Sequence, residues 1–178
     1  LFWLLAFVEI LWLFPLYLQS YQQLLGIPYI YLTHGFRLPN KENYTPETYY
    51  SLPFQGQWTV VNGGVDKDAS HSWGIPTQRY AYDFVIMDEE GRTCSGDPTV
   101  LENYYCYGKE VLAPADGVVV DAKDHYKDSR TYGNGKTDPF IKDIRGNYIV
   151  IKHGSKEYSV IAHLLPHSLK VKIGDKVK

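Results

Sequence analysis

From Gly146 to His163 the chain reads GNYIVIKHGSKEYSVIAH. Positions 147–152 (NYIVIK) are β-branched and aromatic, residues of high strand preference. His153-Gly154-Ser155-Lys156 supplies turn formers, and Glu157–Ala162 resumes a strand pattern, so the stretch predicts a tight β-hairpin. Side chains alternate along a strand with period two. Tyr158, Val160 and Ala162 are therefore expected on one face, and Ser159, Ile161 and His163 on the other. His163 at the strand end is the candidate functional residue of the hairpin, because a ladder holds an imidazole firmly while its tip faces a cleft.

Outward from the hairpin, further short strands are expected at Gln57–Val61, Tyr80–Met87, Glu110–Ala113, Val118–Asp121, Leu169–Lys172 and Lys176–Lys178. Polar excursions separate them: Val65–Arg79, Asp88–Lys109 and the Gly-, Asp- and Lys-rich Lys123–Asp143. Asn62-Gly63-Gly64, Asp116-Gly117 and Gly174-Asp175 mark turns. The expected fold is mostly β, an antiparallel sheet domain with long loop insertions preceded by a hydrophobic helix. Asp83 falls within an apolar strand, and a carboxylate there needs a compensating partner such as a metal or a histidine.

Toward the N-terminus, Leu1–Leu18 (LFWLLAFVEILWLFPLYL) has the length and apolarity of a membrane span, with Trp3, Trp12 and Tyr17 of the ring types favoured at interfaces. It predicts a transmembrane helix, membrane association through residues 1–18, and a membrane-anchored location with an extracytoplasmic domain. Glu9 favours the competing reading, a buried amphipathic helix. Residues 19–56 read as a connector, with Asn43-Tyr44-Thr45 fitting an N-glycosylation triplet, and 57–178 as the functional domain.

The formal net charge of -2, without a basic stripe, excludes nucleic acid as the partner. Sixteen tyrosines and four tryptophans suit a β-rich domain and also a surface that handles carbohydrate or extended peptide. Cys94 and Cys106 are either bridged across a loop or two free thiols, and the CxxC spacing of a structural zinc site is absent. His71 on a loop, Asp83 on a strand and His163 at a strand end offer the nitrogen and carboxylate donors that zinc accepts in catalytic sites.

Four segments in order carry a family resemblance: EVLAPADGVV at 110–119, GNYIVIKHG at 146–154, IAHL at 161–164 and SLKVKIGDKV at 168–177. Together they resemble the M23 (LytM/lysostaphin-like) zinc metallopeptidases over residues 57–178. The resemblance implies a mostly antiparallel β domain with a groove over its main sheet, a Zn2+ cofactor, and a peptidoglycan peptide substrate hydrolysed by metal-activated water. It also implies that Asp83 and His71 are metal ligands and that His163 is a catalytic histidine that does not bind the metal. In the usual pattern the first histidine lies four residues before the aspartate, where this chain has Arg79; His71 lies twelve before, so Ser72–Tyr80 must fold back. The family's His-Leu-His motif is expected beyond Val177, and a chain without it is expected to be inactive as a zinc enzyme.

Two other readings compete. One is a non-catalytic M23-like domain that binds cell wall or a protein partner. The other is a lipoyl or biotinyl carrier, suggested by APADGVV and VKIGDKV, although the sole methionine, Met87, is not followed by lysine. His34, His125, His153 and His167 read as structural or surface residues.

Overall fold

The computed structural model describes residues 21–22, 24–135, 138 and 141–178. The chain is a mixed α/β protein with an N-terminal helix and two antiparallel sheets joined by loops. Among the described residues, helix α1 takes in 21–22 and 24–33. It ends at Gly35 (φ 59°), where the Phe36 amide donates to Tyr31 O (2.7 Å) and the Gly35 amide lies 3.4 Å from Leu32 O. This is the Schellman arrangement, which satisfies the last carbonyls and which a left-handed glycine makes cheap.

The expected transmembrane helix is corrected by these elements, and with it the expected membrane association through residues 1–18 and the membrane-anchored location. Among the described residues no helix is long and apolar enough to cross a membrane. Residues 1–18, where that helix was expected, lie outside the described residues.

Two compact units form, each assembled from separated segments. The first takes residues up to Tyr44, Val60–Phe84 and Thr137–Asp143; the second takes Thr45–Thr59, Val85–Lys136 and Ile144–Lys178. Strands β1 (Thr59–Asn62) and β2 (Asp83–Val85) pair as a two-stranded sheet. The longer β2 expected over Tyr80–Met87 is trimmed because residues 71–80 are a succession of turns, so Asp83 opens the strand and is exposed.

In the second unit, β3 (Gly117–Lys123), β4 (Asn147–Lys152), β5 (Tyr158–Leu164) and β6 (Lys176–Val177) form an antiparallel sheet in the order β5-β4-β3-β6. The expected hairpin is β4–β5, closed by His153 N–H donating to Glu157 O (2.9 Å). Val119, Tyr148 and Ile151 are the fully buried apolar side chains among the described residues, and all three stand on β3 and β4. The strands expected at Glu110–Ala113 and Leu169–Lys172 are loops instead. Leu112 N–H bonds the Pro53 carbonyl (2.7 Å), and Asp124 accepts from the Ser168 and Leu169 amides (3.1 and 3.2 Å).

Close approach explains the Asp116-Gly117 turn. A β-carbon on Gly117 would lie 2.6 Å from Ile151 Cγ2 and 2.7 Å from Lys152 O, so only glycine lets β3 start so near β4. The buried carboxylate of Glu157 accepts from the amides of Glu47 (2.7 Å) and Thr48 (2.9 Å), tying the connector to the hairpin turn. Beside it, His153 Nδ1 lies 2.8 Å from the Asp116 carbonyl and Nε2 lies 2.7 Å from Ser159 Oγ. A carbonyl can only accept, so Nδ1 carries the proton and Nε2 accepts from the serine. The structural role expected of His153 is therefore hairpin closure.

Candidate functional site

Asn62, Gly63 and Gly64 end β1 and begin the loop that carries His71. Gly63 has φ 117°, and a β-carbon there would sit 2.5 Å from Ala81 O and 2.6 Å from Tyr82 Cα. The start of the loop therefore runs against the residues leading into β2 at a spacing no larger side chain permits. Asn62 Oδ1 accepts from the Gly63 amide (2.9 Å) and the His71 amide (3.3 Å), and Gly63 N–H donates to Ala69 O (3.1 Å). These bonds close the segment 62–71 upon itself.

The second half of the loop is closed by Arg79, which stands where the family pattern has its histidine. Its Nε donates to Trp73 O (2.9 Å), and its guanidinium lies 4.8 Å from the Trp73 ring centroid, a cation–π contact. The buried Ser70 hydroxyl donates back to the Arg79 carbonyl (2.8 Å), and Trp73 meets Tyr80 edge-on at 5.7 Å. Turns at Ser70–Trp73, Ser72–Ile75, Ile75–Gln78 and Gln78–Ala81 fill the interval. The loop folds back, and its two ends come together.

The fold-back sets His71 Nε2 3.9 Å from Asp83 Oδ2, with the two side chains 53% and 51% exposed. That separation exceeds the range of about 2.7–3.2 Å for a nitrogen–oxygen hydrogen bond. It approaches the spacing of about 3.4 Å between two donors each about 2.0–2.1 Å from a tetrahedral zinc. An imidazole nitrogen and a carboxylate oxygen are the donor types zinc takes, so this pair fits two positions of such a site. Among the described residues no third His, Cys, Asp or Glu completes a group that could hold a metal.

His163 belongs to the second unit, and its backbone is the unusual feature there. Ile149 pairs with Ile161 and Asn147 with Leu164, so Ala162 and His163 together oppose the single residue Tyr148. The extra residue is a β-bulge, and His163 occupies it with φ 60°. Its amide leaves the regular ladder and donates to Arg145 O (2.9 Å). The period-two reading that grouped His163 with Ser159 and Ile161 fails for this reason: one inserted residue breaks the alternation. Bulges recur beside active sites because they re-aim a side chain, and a non-glycine residue at positive φ persists only where its surroundings enforce it. Asn147, 3% exposed, is part of that enforcement. Its side-chain amide donates to Tyr126 O (2.8 Å) and Leu164 O (3.2 Å), and its oxygen accepts from Tyr126 N–H (2.9 Å).

Sequence reasoning missed Arg79 as the clamp of the loop, Ser70 as its buried partner and Asn147 as the brace of the bulge. Each works through backbone carbonyls and amides, which leave no mark in residue spacing; only Asn62-Gly63-Gly64 gave a turn signal. Cys94 and Cys106 are free thiols, which decides between the two states left open above.

The fold and site together define a mixed α/β chain with an exposed imidazole–carboxylate pair on one unit and a bulge-borne histidine on the other. Comparison of the chain with protein-family models, with curated proteins and with solved structures finds no match in any of the three.

Proposed function

We propose that this chain belongs to an M23-type zinc metalloendopeptidase whose full-length form hydrolyses peptide bonds of bacterial cell-wall peptidoglycan, a chain without the family's His-Leu-His motif being inactive. The observation that carries the reading is the approach of His71 Nε2 to Asp83 Oδ2, 3.9 Å apart although twelve positions separate them in the chain. The family aspartate and the candidate first histidine are both half exposed, so solvent and a metal ion can reach them. Further support comes from where the resembling segments fall. They map to β3, the β4–β5 hairpin, the end of β5 and the turn into β6, hence to every strand of one sheet. That placement favours reading the sheet as the main sheet of an M23-type domain.

In this mechanism His71 and Asp83 would hold two positions of a zinc ion. When bound, zinc supplies Lewis acidity toward water and toward the scissile carbonyl. Asp83 brings negative charge, which favours a dication over a monovalent ion. Arg79 acts on His71 through the backbone, keeping the loop folded so that the imidazole is placed before metal arrives. By the resemblance His163 corresponds to the family's catalytic imidazole, a group that would help orient the attacking water or steady the developing oxyanion, a role worth about 10²–10⁴ in rate.

Elemental analysis and a peptidoglycan turnover assay on the purified full-length protein, His-Leu-His motif included, test the reading. Stoichiometric zinc is expected, lost in Asp83→Ala and in His71→Ala, with turnover lost in His163→Ala while zinc is retained. Absence of bound zinc from the wild-type protein in zinc-supplemented buffer, with cell-wall binding intact, would instead make the domain a non-catalytic binding module.

A further inference from the structure

The second unit carries a two-lobed groove that the peptidase reading does not use. One lobe, about 330 Å³, is bordered by Gln55, Gln57, Trp58 and Lys109. The other, about 410 Å³, is bordered by Met87, Asp88 and Tyr105, and shares Ile86 and Lys109 with the first. Each volume lies at the lower end of the range of about 300–1,000 Å³ for small-ligand pockets. Each lobe has room for one sugar-sized group, with Lys109 at the junction.

Both lobes have a fixed aromatic ring. Trp58 Nε1 donates to Gln55 O (3.1 Å), and Phe54 stacks on the indole with centroids 4.5 Å apart and planes at 23°. The Tyr105 hydroxyl donates to Asp88 Oδ2 (3.0 Å), and Arg92 Nε holds the same oxygen at 2.8 Å. The polar atoms of both rings are thus satisfied within the protein, and the rings are pre-organised as flat apolar surfaces, which lowers the entropy lost on binding. The side chains of Gln55, Gln57 and Lys109 make no hydrogen bond or ion pair among the described residues. Glu110, which lines the first lobe beside Lys109, is paired with Lys170 at 2.7 Å, and Asp88 in the second lobe is paired with Arg92 at 2.8 Å, which leaves Lys109 as the lining charge without a partner among the described residues.

We propose that this groove binds a glycan of N-acetylated amino sugars that carries a carboxylate. One ring lies against Trp58 and the next against Tyr105, the glutamine amides meet hydroxyl and acetamido groups, and Lys109 meets the carboxylate. Flat rings and free amides suit pyranoses and their acetamido substituents, and an unpaired ammonium between two ring sites asks for an anion at the link between two sugars. The choice of a cell-wall glycan rests on the function proposed above. The groove contains none of His71, Asp83 or His163, so binding and hydrolysis fail separately.

Isothermal titration calorimetry of the full chain with the N-acetylglucosaminyl–N-acetylmuramic acid disaccharide, and with uncharged N,N′-diacetylchitobiose, tests the proposal. Saturable binding is expected, stronger for the acidic disaccharide and weakened about tenfold in Trp58→Ala. Lys109→Glu, a change on an exposed side chain that leaves folding intact, is expected to remove the preference for the acidic sugar. No saturable heat with either sugar, equal affinity for both in the wild-type protein, or displacement by an acidic peptide at equal concentration would each overturn it. Binding that persists in Asp83→Ala stripped of zinc supports the groove whatever the fate of the peptidase reading.

Discussion

The β1–β2 region and the four-stranded sheet hold their histidines in opposite ways. The sheet places His163 through a continuous ladder over a buried core of Val119, Tyr148 and Ile151, then uses one bulge to turn the imidazole out. Around β1 and β2 the buried residues are Gly64, Ser70 and Ser72, none of them a large apolar side chain. His71 is placed there by Arg79, Ser70 and Asn62 acting on backbone groups, and by a glycine that admits close contact. An apolar core is held by many contacts at once, whereas the shape of a hydrogen-bonded loop depends on each of its few clamps. The geometry of the candidate metal pair is therefore the feature most exposed to the loss of a single side chain, whereas stability rests on the sheet.

The sharpest way to break this contrast is in the sheet. Tyr148 is 2% exposed, its hydroxyl donates to Asp121 at 2.8 Å, and Arg145 stacks on its ring at 3.8 Å. Tyr148→Ala is expected to lower stability by about 3–5 kcal/mol, the range for deleting a buried aromatic side chain. Urea unfolding measures it; a loss under about 1 kcal/mol would deny the sheet its role as the core.

Arg79→Met keeps the aliphatic bulk and removes the clamp. Zinc affinity at the His71–Asp83 pair is expected to fall about 10–100-fold, as when a residue that orients a metal ligand is lost. The urea midpoint should hardly move. Competition with a fluorescent zinc chelator reads the affinity, and an unchanged value would mean that the loop keeps its shape without Arg79.

A smaller effect tests the strained bulge. His163→Val is expected to be about 1–2 kcal/mol less stable than His163→Gly, because a β-branched residue resists positive φ and glycine does not. Thermal melts of the two variants give the difference directly, and equal melting temperatures would show that the bulge relaxes.

The smallest concerns acid. Hydrogen bonding and then charge attraction from Lys170 hold the Glu110 carboxyl below its ordinary value. A carboxylate with a depressed folded-state pKa adds stability above its unfolded pKa, and that contribution is lost as pH falls through the folded one. Glu110→Gln should therefore lower the melting temperature slightly at neutral pH and not at all in strong acid. Solvent screening keeps this exposed pair weak, and a larger difference in acid than at neutral pH would reverse the sign argued here.

Much of the sheet was legible in the sequence. The β4–β5 hairpin lay in the run of β-branched and aromatic residues around His153-Gly154, and the Asp-Gly and Gly-Asp turns marked where β3 and β6 begin. The strands expected at Glu110–Ala113 and Leu169–Lys172 misled because their backbone groups pair with loop residues distant in the chain, Pro53 and Asp124, and no local pattern reports such a partner. Asp83 could be singled out as an acid among apolar neighbours, yet its exposure followed from turns that shorten β2. The membrane reading rested on apolarity at residues 1–18, which lie outside the described residues, and among the described residues no helix is long and apolar enough to cross a membrane.

Residue order alone determined the local choices: where strands run, where glycine turns them, and which imidazoles and carboxylates exist to do chemistry. Those choices depend on side-chain preference and period, which are properties of neighbours in the chain. Tertiary structure decided that His71 reaches Asp83 and that His163 leaves its alternating face. Both outcomes depend on distant backbone groups finding partners, Arg79 with the Trp73 carbonyl and Asn147 with Tyr126, and on one inserted residue opposite Tyr148. Such pairings form only once the chain has closed on itself.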